Sequence, residues 1–132
     1  MPYVISFTTD RFDPTREEAN PINPIAGQSA LNWLRTQLTG NGWRVSEPAA
    51  EDWGWYVDVE RDGVVYLLGA SADAHDASPP IEWTLQVHKQ RSLTDRLLGR
   101  NTLAPGDRLC ELVERLVRAD PALLQVEATF ER

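Results

Sequence analysis

The chain has 132 residues, 42% of them apolar, which is enough for one domain with its own core. A single cysteine, Cys110, excludes an internal disulfide framework. The formal charge of −7 argues against a nucleic-acid partner, whose phosphates need a basic surface.

The charge is uneven. Residues 1–88 hold 13 acids against 5 bases, and residues 89–132 hold 7 acids against 8 bases. Twelve of the 13 bases are arginine, a bias expected of a GC-rich bacterial genome. No stretch approaches the roughly 18 apolar residues of a membrane span. The amino end reads as a strand, not a signal peptide, so the cytoplasm is the expected compartment.

Tyr3 to Thr8 alternates and predicts a first strand. Asp10 to Asn23 is polar, with Asn20-Pro21 and Asn23-Pro24 as turn signals, and predicts an ordered loop. A helix is expected over Pro24 to Thr39, capped by Asn23, with Leu31, Leu34 and Leu38 as its apolar stripe. Gly40 and Gly42 end it, and Trp43 to Ser46 predicts a second strand.

The clearest signal is a hairpin. Trp53 to Glu60 and Val64 to Ala70 flank Asp62-Gly63, a tight-turn dipeptide. A two-residue loop pairs Val59 with Tyr66, Val57 with Leu68 and Trp55 with Ala70 on one apolar face. Tyr56, Asp58 and Glu60 take the other face. Ile81 to His88 is a further strand, with Glu82, Thr84, Gln86 and His88 opposite its apolar side. Ser92 and Asp95 predict a cap on a short helix ending near Gly99. A last long helix is expected over Pro105 to Ala119, then a strand over Leu124 to Phe130. The order β-α-β-β-β-β-α-β predicts an α+β domain: a mostly antiparallel sheet of five to six strands, with two long helices on one face and the other face partly open.

No spacing matches a catalytic motif, a metal site or a phosphate loop, so no catalytic residue, metal or cofactor is expected. Asp73-Ala74-His75-Asp76 sets a histidine between carboxylates but reads as a solvated loop. Cys110 reads as a structural thiol. Glu51-Asp52 reads as a solvated acidic pair. Lys89, Arg91, Arg96 and Arg100 form a basic segment that reads as a solvated helix edge, or as a grip for a phosphate or an acidic partner. Trp33 falls outside the stripe of the first long helix. It is either an interface anchor or packed under the Asp10–Asn23 loop.

The stretch Glu51-Asp52-Trp53-Gly54-Trp55-Tyr56, after the Asn23-Pro24-Ile25 turn and a helix, resembles small bacterial proteins of unknown function, some of them immunity proteins that block a toxin. The resemblance carries over no functional residue and implies a binding role. The leading expectation is therefore a protein-binding domain, in its most concrete form an immunity-type inhibitor of a basic toxin. Tyr56, Asp58, Glu60, Glu82 and Trp33 are its candidate contact residues. The alternatives are a small-molecule-binding protein or enzyme with a pocket between sheet and helices, and a homo-oligomeric module that covers its open face with a copy of itself.

Overall fold

A computed structural model describes residues 2–72 and 80–130. Alternation at the amino end gives β1 (Tyr3–Thr9), with Tyr3, Ile5, Phe7 and Thr9 turned inward. The long first helix α1 spans Gln28–Thr39 and buries Ala30, Leu31, Leu34 and Leu38. Then come β2 (Arg44–Val45), β3 (Ala49–Glu51), β4 (Gly54–Arg61), β5 (Val64–Ser71) and β6 (Ile81–Lys89). Two more helices, α2 (Leu93–Leu98) and α3 (Arg108–Ala119), precede β7 (Leu124–Phe130).

The seven strands form one antiparallel sheet in the order β2-β4-β5-β6-β1-β7, with β3 also on β4. The expected hairpin is present in the expected register: Val59 faces Tyr66, Val57 faces Leu68 and Trp55 faces Ala70. All six are buried, while Asp58 is exposed. The inward residues of the strands, the α1 stripe and Leu109, Leu112, Val113 and Val117 of α3 make one core. Both long helices therefore cover one face of the sheet. The opposite face carries neither.

Three local expectations are corrected. The sheet has seven strands, because Ala49–Glu51 pairs with Gly54–Tyr56 although Ala-Ala-Glu has little strand propensity of its own. The first helix starts at Gln28, not Pro24. Ala26 exchanges both backbone hydrogen bonds with Ala72, which holds the segment before it extended along the sheet. Gly27 follows because the chain passes so close to β5 that any Cβ would collide with the Ala70 carbonyl oxygen.

The cap of α1 also comes from elsewhere. The Glu17 carboxylate accepts the N–H groups of Gly27, Gln28 and Ser29, each at 3.0 Å. Asn23 instead donates its side-chain amide to the Asp52 carbonyl, and Asn20 donates to the carbonyls of Glu51 and Gly54. The long loop is thus pinned to the β3–β4 turn.

The third correction concerns Trp53. The alternating run Trp53 to Glu60, taken as one strand, puts Trp53 on the core face with Trp55 and Val57. Asp52 and Trp53 instead form the two-residue turn between the paired residues Glu51 and Gly54. Freed from the pleat, the indole crosses to the open face.

Candidate functional site

The open face is built in rows set by strand register. One row runs Tyr56–Gly69–Gln86–Val4–Thr129 across β4, β5, β6, β1 and β7. The next runs Asp58–Leu67–His88, and the one beyond places Glu60 beside Val65. Trp53 lies over Gly69, where a side chain would overlap its ring. Glycine is therefore needed at 69 to receive the indole. Val65 and Leu67 are half-buried. A solvated sheet face has no need of an indole, a phenol, a valine and a leucine side by side.

The expected contact residues do not form one acidic row. Tyr56 and Gln86 lie on either side of Gly69, and Asp58 and His88 on either side of Leu67, each pair separated by β5. Glu60 is half-buried and lies 3.7 Å from the Arg44 guanidinium. Glu82 is six residues from His88 along β6, which is roughly 20 Å. It shares a separate hollow with Ser6, Thr8, Gln125 and Glu127, where β7 bulges away from β1. Trp33 packs its ring 5.9 Å from that of Phe12, under the Asp10–Asn23 loop.

Beside the Trp53 platform runs a groove of about 810 Å³. Its lining includes Trp53, Leu67, Gln86 and His88 on the sheet, and Arg91 and Arg96 on the α2 side. His88 Nε2 lies 3.1 Å from Gln86 Oε1. Burial holds the imidazole below its ordinary pKa, so it is neutral at pH 7. The outer surface of α2 carries Leu93, Leu97 and Leu98 at 73%, 77% and 63% exposure. Sequence reading missed Trp53, Leu67 and the α2 leucines. The signal for the last was visible in Leu93-Thr94-Asp95-Arg96-Leu97-Leu98, a helix too short to bury what it carries.

An enzyme-like constellation exists elsewhere and resolves into structure. Asp107 caps α3 by accepting the N–H groups of Leu109 and Cys110. Its other oxygen accepts the Tyr66 hydroxyl at 2.9 Å and lies 3.9 Å from Lys89 Nζ. Burial, then the nearby Asp107 carboxylate, pushes the Cys110 thiol up to about 12. A nucleophilic thiol needs the opposite shift. The cavity of about 310 Å³ inside the 14–26 loop is similarly engaged, since Glu17 caps α1 and Asn20 ties down the β3–β4 turn.

The Asp73–Asp76 segment lies outside the described residues. Among the described residues no three His, Cys, Asp or Glu side chains gather as metal ligands, and no helix is long and apolar enough to cross a membrane. No family model, curated protein or solved structure matches the chain.

Proposed function

We propose that this chain acts by binding another protein through the open face of its sheet, in the cytoplasm of a bacterium. One observation carries the reading: the Trp53 indole laid over Gly69 beside Tyr56, Leu67 and Val65, on a face that neither long helix covers. Large aromatic side chains on rigid elements are the usual anchors of protein interfaces. The exposed leucines of α2 extend the apolar area at one edge. Asp58, exposed on β4, supplies the steering charge toward a basic partner. In its most concrete form the domain is an immunity-type inhibitor that covers the working surface of a basic toxin.

The test is a pull-down from a lysate of the encoding organism, followed by binding rates for variants. Tyr56→Ala with Leu67→Asp should abolish capture of a partner that wild type retains. Asp58→Lys should slow association, most at low salt. Capture unaffected by all three substitutions would remove this face from consideration.

The homo-oligomeric reading has one feature of its own, the β7 edge. Among the described residues it pairs only with β1, and it leaves Val126, Ala128 and Phe130 half-covered. Sedimentation equilibrium separates the two readings, since an edge-to-edge dimer needs no partner.

A further inference from the structure

We infer that the groove between Trp53 and α2 receives an acidic segment of a partner protein, its carboxylates on Arg91 and Arg96 and an apolar side chain on Trp53 and Leu67. The inference rests on the docking role of the open face and adds the chemistry of what docks there.

In a chain of net −7, residues 89–100 hold four bases and one acid. Two of the four are committed. Lys89 turns to the helix-covered face, where it meets Asp107, and Arg100 pairs with Asp95. Arg91 and Arg96 have no carboxylate within ion-pair distance among the described residues, and both line the groove. Arg91 is nevertheless fixed. Its guanidinium donates to the backbone carbonyls of Arg100 at 3.0 Å and Asp95 at 3.2 Å. Those bonds hold its orientation without supplying a carboxylate, and none of the described residues supplies one. The helix behind it is set by a reciprocal Ser92–Asp95 capping box and a left-handed Gly99. A guanidinium positioned in advance loses less freedom when a carboxylate arrives.

The groove floor sets the apolar surfaces of Trp53 and Leu67 beside the polar side chains of Gln86 and His88, and its α2 wall is cationic, so the matching ligand combines carboxylates with an apolar side chain. The shape of the charge selects a segment rather than a plane. A bilayer or a nucleic-acid backbone spreads its negative charge over a wide surface. Docking one on α2 would bring Asp58 and the rest of the −7 body close to it, against the roughly 8–10 Å screening length of physiological salt. A segment lying in the groove meets the two guanidinium groups first. Asp58 and His88 flank Leu67 two strands apart, about 10 Å. A negative edge on β4 therefore faces a positive wall at α2, and this asymmetry fixes which way round a partner sits.

The experiment pans random twelve-residue peptides on phage against the wild-type protein. Enriched peptides are then measured against Arg96→Glu, Arg91→Glu and Trp53→Ala, with near-UV circular dichroism confirming each fold. The Arg96 side chain makes no hydrogen bond among the described residues, so Arg96→Glu keeps the test valid if Arg91→Glu disturbs α2. The expected result is enrichment of net-negative peptides with at least one large apolar residue, bound at least tenfold more weakly by Arg96→Glu and by Trp53→Ala. Basic or uncharged winners, no enrichment, or binding indifferent to Arg96 would each overturn the inference. So would sedimentation of the protein with vesicles of 70% phosphatidylcholine and 30% phosphatidylserine in the absence of peptide binding. If Tyr56→Ala with Leu67→Asp abolishes capture of a native partner while Arg96→Glu leaves it intact, the docking face stands and the acidic segment falls.

Discussion

The indole of Trp53 rests on the backbone of Gly69, two residues that belong to different hairpins and meet only because the β3–β4 turn throws the side chain across β4. Gly69 takes no left-handed conformation, so its lack of a side chain serves the ring above it. Gly69→Ala should leave the strand paired and push the indole aside. Five tryptophans give five indole N–H cross-peaks in a ¹⁵N correlation spectrum, and Trp53→Phe identifies the one that matters. That peak should move in Gly69→Ala, and affinity for a partner of the open face should fall by about tenfold, the loss expected when one anchor is misplaced. An unmoved peak would mean the ring does not lie on the glycine.

Glu17 is a second long-range device, a cap supplied from a loop eleven residues before the first residue of the helix it serves. Three backbone N–H groups share its carboxylate, and Ser29 Oγ adds a fourth bond. Glu17→Ala leaves those donors unpaired at a half-buried helix end and should cost about 1–2 kcal/mol. Glu17→Gln keeps acceptor geometry and should lose less. Urea midpoints decide between them. Equal, negligible losses would show that water replaces the carboxylate freely.

Leu112 and Arg118 test the faces of α3. Leu112 is buried in the core, and Leu112→Ala should cost about 2–5 kcal/mol. Arg118 is half-exposed and donates to Glu114 at 2.9 Å, one helical turn away. Such a pair contributes about 0.5 kcal/mol or less, so Arg118→Ala should sit within that limit. Similar losses in the two variants would mean that the helix faces are misassigned.

These tests probe residues that differed in how readable they were. Alternation on both sides of Asp62-Gly63 was sufficient for the hairpin and its register, because a one-residue slip would turn the whole apolar set outward. The leucines of α1 and α3 repeat at helical spacing and found the core for the same reason. The start of α1 was not readable. Asn23-Pro24 makes a good local cap, and the bridge of Ala26 to Ala72 that overrides it joins residues far apart in sequence. Ala49–Glu51 was equally silent, being a strand only through β4. At the site, alternation identified Tyr56 and Asp58 but misplaced Trp53, because period two holds only inside a strand and Trp53 stands one residue before one. Alternation gives the face of each contact residue on β4 and β6 but not the distance between the two strands. Once β5 lies between them, Leu67 and Gly69 separate the two sets, and Glu82 falls at the far end.

Cys110 should be inert in the folded protein. Its thiol is buried, and its pKa of about 12 leaves about one molecule in ten thousand ionised at pH 8. The thiolate is the reactive form, so alkylation by iodoacetamide should run about a thousandfold slower than in the urea-denatured chain. Mass spectrometry of the quenched reaction reads both rates. Native labelling within tenfold of the denatured rate would show that the α3 end opens readily around Asp107.

His88 gives the domain a pH dependence with a defined sign. Burial on the open face disfavours the imidazolium form, so the folded pKa lies below the ordinary 6.5. Between those two values the unfolded chain holds more protons than the folded one, and stability therefore rises with pH. The contribution is complete above 6.5 and is lost as pH falls through the folded value. His88→Gln keeps a polar side chain beside Gln86 and removes this titration. Urea midpoints measured from pH 5 to 8 should fall on the acid side for wild type and fall less for the variant. His75 is present in both proteins and cancels in the comparison. A partner covering the groove would bury His88 further and steepen the wild-type dependence. Its affinity should then weaken as pH drops through the same window, unless the partner places a carboxylate on the ring, which would reverse the sign and bring the new cation into line with Arg91 and Arg96. Parallel stability curves for wild type and His88→Gln would show that the ring remains fully solvated and that the groove is more open than its lining implies.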